Sequence, residues 1–183
     1  MAKGSALPSV TTVLGCFVDF SMVRPEVMEK ATLRGKKVHG AIAAHLLGLW
    51  VPTLSGEVQP YFDSFRRWAD IMIDQVLFVE KEIVCDCYGY IGHVDAGLIL
   101  RRETNSTIID WKSPITEAKT WKGQNAAYWH LVDHHTEFPK VTRCGSVMLS
   151  PKGRTAKMKE HTDSQAQYFN GFLGALQAYK FFK

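Results

Sequence analysis

The spacing of apolar residues changes along the chain, and the changes predict where helices give way to strands. Over the first 74 residues apolar positions recur three and four apart, which is the spacing of one helix face. This predicts a short helix capped by Ser9, a long helix over residues 25–48 that begins at Pro25, and a third helix over 61–74. The buried stripe expected on the long helix is Val27, Ala31, Gly35, Val38, Ile42, Leu46 and Leu49.

From residue 76 onward the apolar pattern becomes that of strands. The predicted elements are strands over 76–84, 90–100 and 107–111, a helix over 117–135, a fourth strand over 141–149 and a closing helix over 162–182. Short links between the first three strands predict antiparallel pairing, and the helical link permits a parallel fourth strand. The expected fold is therefore mixed α/β, with a central four-stranded mixed sheet flanked by helices, in one domain over residues 1–183.

The composition and the apolar pattern are those expected of a globular protein without a membrane span. The hydrophobic content of 46% and charged content of 22% are ordinary for a globular protein. The sequence has neither an apolar run long enough to cross a membrane nor an apolar leader near its start, which predicts a cytoplasmic protein without a membrane partner.

Charge is uneven, although the net charge is only +4. Six Lys/Arg residues and no acidic residue lie between Lys140 and Lys159. This basic block is either a solvated loop or a contact for a nucleic-acid backbone. Arg154 and Lys157, which follow a predicted turn, are the candidate DNA-binding residues.

The cysteines and a histidine pair offer little sign of a zinc site. Cys85 and Cys87 stand one residue apart on a predicted strand, and no Cys-x-x-Cys pair is present. His130 and His134 have the four-residue spacing of a zinc-binding pair, but the glutamate and a clear third ligand are missing. Reduced thiols and a solvated helix end are therefore expected.

The most informative chemistry lies at two strand ends. Asp95 and Asp110 each end an apolar run, and Lys112 follows Asp110 by two residues. Because side chains alternate along a strand, Asp110 and Lys112 project from one face and Trp111 projects from the other. Asp residues at strand ends are also common as turn residues. Two carboxylates on adjacent strands suit Mg²⁺ or Mn²⁺, and a neighbouring lysine can orient a water or offset charge on a phosphate.

A polar pair follows on the next predicted helix. Gln124 and Tyr128 are four residues apart, so they lie on one side of that helix. Polar groups on an otherwise buried stripe need partners, and a phosphate or a metal-bound water would serve. A half-exposed helix edge is the alternative.

Five short motifs occur together in a specific order. They are Leu7-Pro-Ser-Val-Thr-Thr-Val-Leu14, Gly35-Lys-Lys-Val-His39, Gly92-His-Val-Asp95, Ile108-Ile-Asp110-Trp-Lys112 and Gln124-Asn-Ala-Ala-Tyr128. Their order resembles the PD-(D/E)XK nuclease superfamily and its RecB-like, phage-type exonuclease branch. Val94 stands where the superfamily's name has proline.

The resemblance implies a fold and a ligand set. The fold would be a restriction-endonuclease-like αβββαβ core with extra N-terminal helices. His39, Asp95, Asp110 and the backbone carbonyl of Trp111 would hold one or two Mg²⁺ or Mn²⁺ ions. Glu80 is a further candidate ligand, preferred over the neighbouring Glu82. The catalytic set would be Asp95, Asp110, Lys112, Gln124 and Tyr128.

The resemblance also implies an activity and its context. We expect a DNA exonuclease without sequence specificity, acting on single- or double-stranded ends in recombination, repair or phage DNA processing. Its partners would include recombination or single-strand-binding proteins in a bacterial or phage-infected cell. No cysteine group follows Cys144, so no iron–sulfur cluster is expected. An endonuclease of the same superfamily and a non-catalytic DNA-binding module remain alternatives, and the oligomeric state is open.

Overall fold

A computed structural model describes residues 7–19, 21–113, 116–134 and 137–183. The elements in chain order are α1 Val10–Gly15, α2 Pro25–Leu46, α3 Gln59–Met72, β1 Ile73–Cys85, β2 Tyr90–Leu100, β3 Ser106–Lys112, α4 Thr120–Asp133, β4 Val141–Met148, β5 Lys157–Glu160 and α5 Gln165–Phe182. Ser9 caps α1 by accepting a hydrogen bond from the backbone N of Thr12, as its sequence position predicts. None of the described helices is long and apolar enough to span a bilayer.

The strands form one mixed sheet in the order β1-β2-β3-β4-β5. The pairs β1/β2, β2/β3 and β4/β5 are antiparallel, and β3/β4 is parallel through the crossover that contains α4. The mixed sheet flanked by helices is confirmed. The prediction of four strands is wrong, because β5 adds a fifth strand at the edge.

The missed strand carries a weak sequence signal. β5 has only four residues, Lys-Met-Lys-Glu, and its charged side chains are exposed. Short, charged strands are typical of sheet edges, where they discourage pairing with other chains. Its pairing partner Gly145 allows a close approach, since a Cβ there would lie 2.7 Å from the backbone oxygen of Lys159.

Two apolar layers cover the two faces of the sheet. One layer joins α2 and α3 to the sheet through Phe65, Trp68, Ile109 and Trp111. The other joins α1, α4 and α5 to it through Val13, Ile108, Ala127, Leu131 and Phe172. Alternation along β3 therefore turns Asp110 and Lys112 toward α4, on the face that Ile108 shares.

The predicted stripe of α2 is only half buried. Val38 and Ile42 are fully buried, whereas Val27 is 47% exposed and Leu49, beyond the helix end, is 61% exposed. A helical stripe predicts which face is apolar, but it does not predict how far along the helix its neighbours extend. The buried half is the part that brings His39 to the sheet.

Candidate metal centre

Three side chains with metal-binding atoms meet where α2 crosses the sheet. His39 comes from α2, Glu80 from β1 and Asp95 from β2. Their ligand atoms all lie within 4.8 Å of one another. Glu80 is level with Asp95, because it lies between the paired positions Val79↔Ala96 and Lys81↔Val94.

The backbone is irregular at this point of the sheet. Glu80 has φ of 48°, in the left-handed region that non-glycine residues rarely adopt. On β2, Val94 packs in the layer of α4 while Ala96 packs in the layer of α2, although regular alternation would put both on one face. Such irregularities redirect side chains and are concentrated at functional sites, at a cost of about 1–3 kcal/mol.

The irregularity also separates the two candidate glutamates of β1. Glu80 joins the group with His39 and Asp95, whereas Glu82 pairs with the exposed His93 at 3.1 Å. Of these two glutamates, Glu80 is therefore the one whose carboxylate lies beside the other candidate ligands.

His39 bridges two of the predicted ligands. Its Nε2 lies 3.0 Å from the carbonyl oxygen of Trp111, and its Nδ1 lies 3.5 Å from Asp95 Oδ2. Burial alone would lower the pKa of His39, but the hydrogen bond to Asp95 and the charges of Asp95, Asp110 and Glu80 outweigh it and raise this pKa to about 9. A doubly protonated ring, which donates from both nitrogens, accounts for both contacts.

Trp111 serves the site through its backbone and the core through its side chain. Its backbone N donates to Asp95 Oδ2 at 2.8 Å, and its carbonyl faces His39. Its indole is 1% exposed and packs edge-on against Phe65 and Trp68. The core therefore holds the peptide group that orients Asp95 and His39.

A second polar network lies next to this group, between β3 and α4. Asp110 Oδ1 accepts from Gln124 Nε2 at 2.9 Å, and Gln124 Oε1 accepts from Lys112 Nζ at 2.9 Å. Gln124 Nε2 also donates to the hydroxyl of Tyr128 at 3.1 Å. The structure thus brings together four of the five predicted catalytic residues, with Asp95 on the neighbouring strand.

One carboxylate oxygen of Asp110 accepts no hydrogen bond from the described residues. Its Oδ2 lies 2.6 Å from Lys112 Nζ as an ion pair, but the angles do not suit a hydrogen bond, so this buried oxygen has no hydrogen-bond partner among the described residues. Asp110 lies outside the three-residue group of His39, Glu80 and Asp95. A buried carboxylate oxygen that is ion-paired but accepts no hydrogen bond could also bind a cation.

Burial sets the charge state of these groups. Burial, only partly offset by Lys112, raises the pKa of Asp110 above that of an ordinary carboxyl. Burial and the charge of Asp95 likewise raise the pKa of Glu80. Burial and the charge of Asp110 raise the pKa of Tyr128, whose hydroxyl therefore stays neutral. Carboxylates crowded in this way gain from a bound cation.

The residues present fit a divalent ion. They offer an imidazole, carboxylates and a backbone carbonyl, a set suited to Mn²⁺ or Mg²⁺. An open cleft of about 500 Å³ reaches His39 and Glu80, and it is also lined by Gly35, Lys36, Gly40 and Ala43. A substrate would have access to the site from this cleft.

The basic block divides into paired and unpaired charges. Arg143 forms ion pairs with Glu103 and Glu160, and Lys159 pairs with Glu117. Within the described ranges, Arg154 and Lys157 are exposed and form no ion pair.

Lys157 lies on β5, on the same face of the sheet as Lys112. It pairs with Met148, and Met148 pairs with Lys112 on the next strand. Two strand spacings separate the backbones of Lys157 and Lys112, which is roughly 10 Å. Residues in register share a face, so Lys157 is placed to contact a substrate that reaches Lys112.

Comparison of the chain with models of known protein families and with curated proteins finds no match. A functional assignment therefore depends on the geometry of the site.

Proposed function

We propose that this chain is a metal-dependent DNA nuclease, an exonuclease that hydrolyses phosphodiester bonds without sequence specificity. The observation that carries the proposal is the convergence of His39, Glu80 and Asp95 within 4.8 Å, beside the ion pair of Asp110 and Lys112. Carboxylates and an imidazole suit Mg²⁺ or Mn²⁺, and a lysine beside them suits a reaction in which charge grows on a phosphate. The resemblance to PD-(D/E)XK nucleases, with a restriction-endonuclease-like core, belongs to the same proposal.

The proposed ligands are His39, Glu80, Asp95, Asp110 and the carbonyl of Trp111. One or two divalent ions there would supply an activated water and shield the charge of the scissile phosphate. The hydrogen bond from the backbone N of Trp111 holds Asp95 in place for this role.

Lys112, Gln124 and Tyr128 have separate roles. Lys112 carries its ammonium group beside Asp110 and orients the attacking water or stabilises the charge of the transition state. Gln124 holds both Lys112 and Asp110 by hydrogen bonds, so it sets the distance between the positive and negative groups. Tyr128 accepts a hydrogen bond from Gln124, which fixes the amide, and presents a neutral hydroxyl.

Arg154 and Lys157 are the proposed contacts with the DNA backbone. Both are exposed, and Lys157 lies two strands from Lys112 on the same face of the sheet. Contacts with phosphates give affinity without sequence specificity. The proposed setting is recombination, repair or phage DNA processing in the cytoplasm of a bacterial or phage-infected cell, with single-strand-binding or recombination proteins as partners.

Digestion of end-labelled linear DNA beside closed circular DNA, with Mg²⁺, Mn²⁺ or EDTA, tests the proposal. We expect metal-dependent loss of linear DNA from its ends while the circle stays intact. Asp95→Asn and Asp110→Asn should each slow cleavage by about 100-fold or more, because they remove a charge-stabilising group. Glu82→Gln is the matched control, since Glu82 is exposed and pairs with His93 instead.

Other outcomes identify the alternatives. Cleavage of the circle would favour an endonuclease. Binding of both substrates without cleavage under every condition would favour a non-catalytic DNA-binding module. Undiminished cleavage by Asp95→Asn would refute the assigned site.

A further inference from the structure

A second group of metal-binding side chains lies at the far end of β2. Cys85 ends β1, Cys87 lies in the turn that leads to β2, and His130 lies near the end of α4. Their ligand atoms all lie within 4.8 Å of one another. The turn and the helix are about 45 residues apart in sequence, so the fold alone brings them together.

The distances come within about 1 Å of those of a tetrahedral zinc site. Cys85 Sγ lies 3.1 Å from Cys87 Sγ and 3.9 Å from His130 Nδ1. With Zn–S bonds of about 2.3 Å and Zn–N bonds of about 2.0 Å, tetrahedral geometry puts two sulfurs roughly 3.8 Å apart and a sulfur and nitrogen roughly 3.5 Å apart. Shifts of less than about 1 Å therefore convert the observed group into a ligand set.

Aromatic neighbours hold the imidazole in place. The ring of His130 stacks on Phe169 of α5 at 4.3 Å, with an angle of 14° between the planes, and Tyr88 contacts it edge-on. The hydroxyl of Tyr90 lies 3.1 Å from the same Nδ1 and donates to the carbonyl of Ala127 at 3.2 Å. An ion at Nδ1 would replace the contact between the ring and this hydroxyl.

The donor set differs in kind from that of the Asp95 centre. Two thiolates and an imidazole are soft or borderline ligands that select zinc over magnesium. Cys85 is buried and Cys87 is exposed, which leaves a fourth coordination position open to solvent. Tyr90 and Asp95 are five residues apart on β2, so the two centres are separated by roughly 16 Å along the strand.

We propose that Cys85, Cys87 and His130 bind one Zn²⁺ ion that fastens the β1–β2 turn to α4. Through the stack of His130 on Phe169 the ion also braces α5. This proposal is independent of the proposed nuclease activity, because it uses none of the residues assigned to that activity.

The test measures metal content and coordination in the reduced protein. After incubation with Zn²⁺ and removal of the excess, we expect about one tightly held zinc per chain by mass spectrometry of the metal. Cys87→Ser and His130→Ala should lose it. Cys16→Ser is the matched control, because Cys16 is also an exposed thiol but lies on α1's C-terminal cap.

Cobalt distinguishes this site from the carboxylate centre. Co²⁺ bound to the two thiolates should produce sulfur-to-metal charge-transfer absorption in the wild type and in Asp95→Asn, and not in Cys87→Ser. Binding should also release about two protons, because both thiols must ionise. Zinc should raise the melting temperature of the wild type more than that of Cys87→Ser.

Two results would overturn the proposal. One is zinc content in Cys87→Ser equal to that of the wild type. The other is a protein isolated as a Cys85–Cys87 disulfide, about 2 Da lighter by mass, whose reduced form shows no charge-transfer band with Co²⁺.

Discussion

Replacement of His39 by glutamine should change how metal affinity depends on pH. In the metal-free protein His39 carries a proton held by Asp95, and the carboxylates around it raise its pKa to about 9. A protonated imidazole cannot ligate a cation, so binding of Mn²⁺ at His39 must release that proton. The glutamine side chain that replaces it has no such proton to release.

The size of the effect follows from the pKa. At pH 7, about two units below it, roughly 99% of the rings are protonated. Each unit of pH lost then raises the proton concentration tenfold and weakens the apparent Mn²⁺ affinity about tenfold, so a change from pH 8 to pH 6 should weaken it about 100-fold. His39→Gln should bind Mn²⁺ more weakly at pH 8 and should lose much less affinity as the pH falls. Because burial raises the pKa of both Asp110 and Glu80 and the charge of His39 partly offsets this, these carboxyls protonate more readily in His39→Gln, which therefore retains some dependence on pH.

Calorimetric titration of Mn²⁺ between pH 6 and pH 8, at constant ionic strength, measures this difference. His93→Gln is the matched control, because His93 is exposed on β2 only two residues from Asp95. It should behave as the wild type does. An equally steep dependence on pH in His39→Gln would refute the assignment of His39 as a ligand.

The raised pKa of His39 also predicts that the metal-free protein becomes less stable as the pH rises, whereas its affinity for Mn²⁺ increases. Because the folded-state pKa of His39 lies above the ordinary value of 6.5, protonation stabilises the fold fully below pH 6.5, and this contribution is lost as the pH rises toward 9. The melting temperature of the metal-free wild type should therefore fall relative to that of His39→Gln across this range.

Four further variants test the catalytic lysine, the packing of the fold and the proposed DNA contacts. Lys112→Met should slow cleavage by about 100-fold or more. Its Mn²⁺ affinity should stay unchanged or tighten, because Asp110 loses its positive partner. A loss of Mn²⁺ binding equal to that of Asp95→Asn would contradict a catalytic role for Lys112. Gly92→Ala should destabilise the fold by about 1–3 kcal/mol in thermal melts, because its Cβ would lie 2.3 Å from the side chain of Leu131. Gly174→Ala, in open space on α5, should stabilise it by up to about 1 kcal/mol. The double variant Arg154→Ala/Lys157→Ala should weaken DNA binding and flatten its log–log salt dependence by about 1.5–2 units; an unchanged slope would show a solvated surface instead.

The parts of the fold that the sequence predicts are those with a long, regular apolar pattern. The predicted bounds of β2 are those of the structure, and the other long elements differ by a few residues at their ends. β5 escapes prediction because four residues with exposed charges carry almost no periodic signal. The prediction that Val27 and Leu49 are buried is wrong, because apolar spacing does not show whether a neighbouring element packs against those parts of the helix.

The two centres are predictable to different degrees. Asp110 and Lys112 stand two residues apart on a regular strand, so alternation alone places them on one face. The choice of Glu80 cannot be derived in this way, because its left-handed backbone interrupts the alternation that would treat it like Glu82. The group of Cys85, Cys87 and His130 escapes a search for spaced motifs, because its members come from separate elements that meet only in the folded chain.

Trp111 explains how a site on irregular backbone keeps its geometry. Its peptide group donates to Asp95 and faces His39, yet neither contact would hold those side chains unless the peptide itself were fixed. The indole supplies that constraint, because it is buried and packs edge-on against Phe65 and Trp68. The strain at Glu80, which costs about 1–3 kcal/mol, is thus offset by the packing of a core that includes the aromatic contacts of Trp111. In a regular sheet the left-handed backbone of Glu80 and the break in alternation between Val94 and Ala96 would be missing, and with them the local redirection of the side chains that meet here.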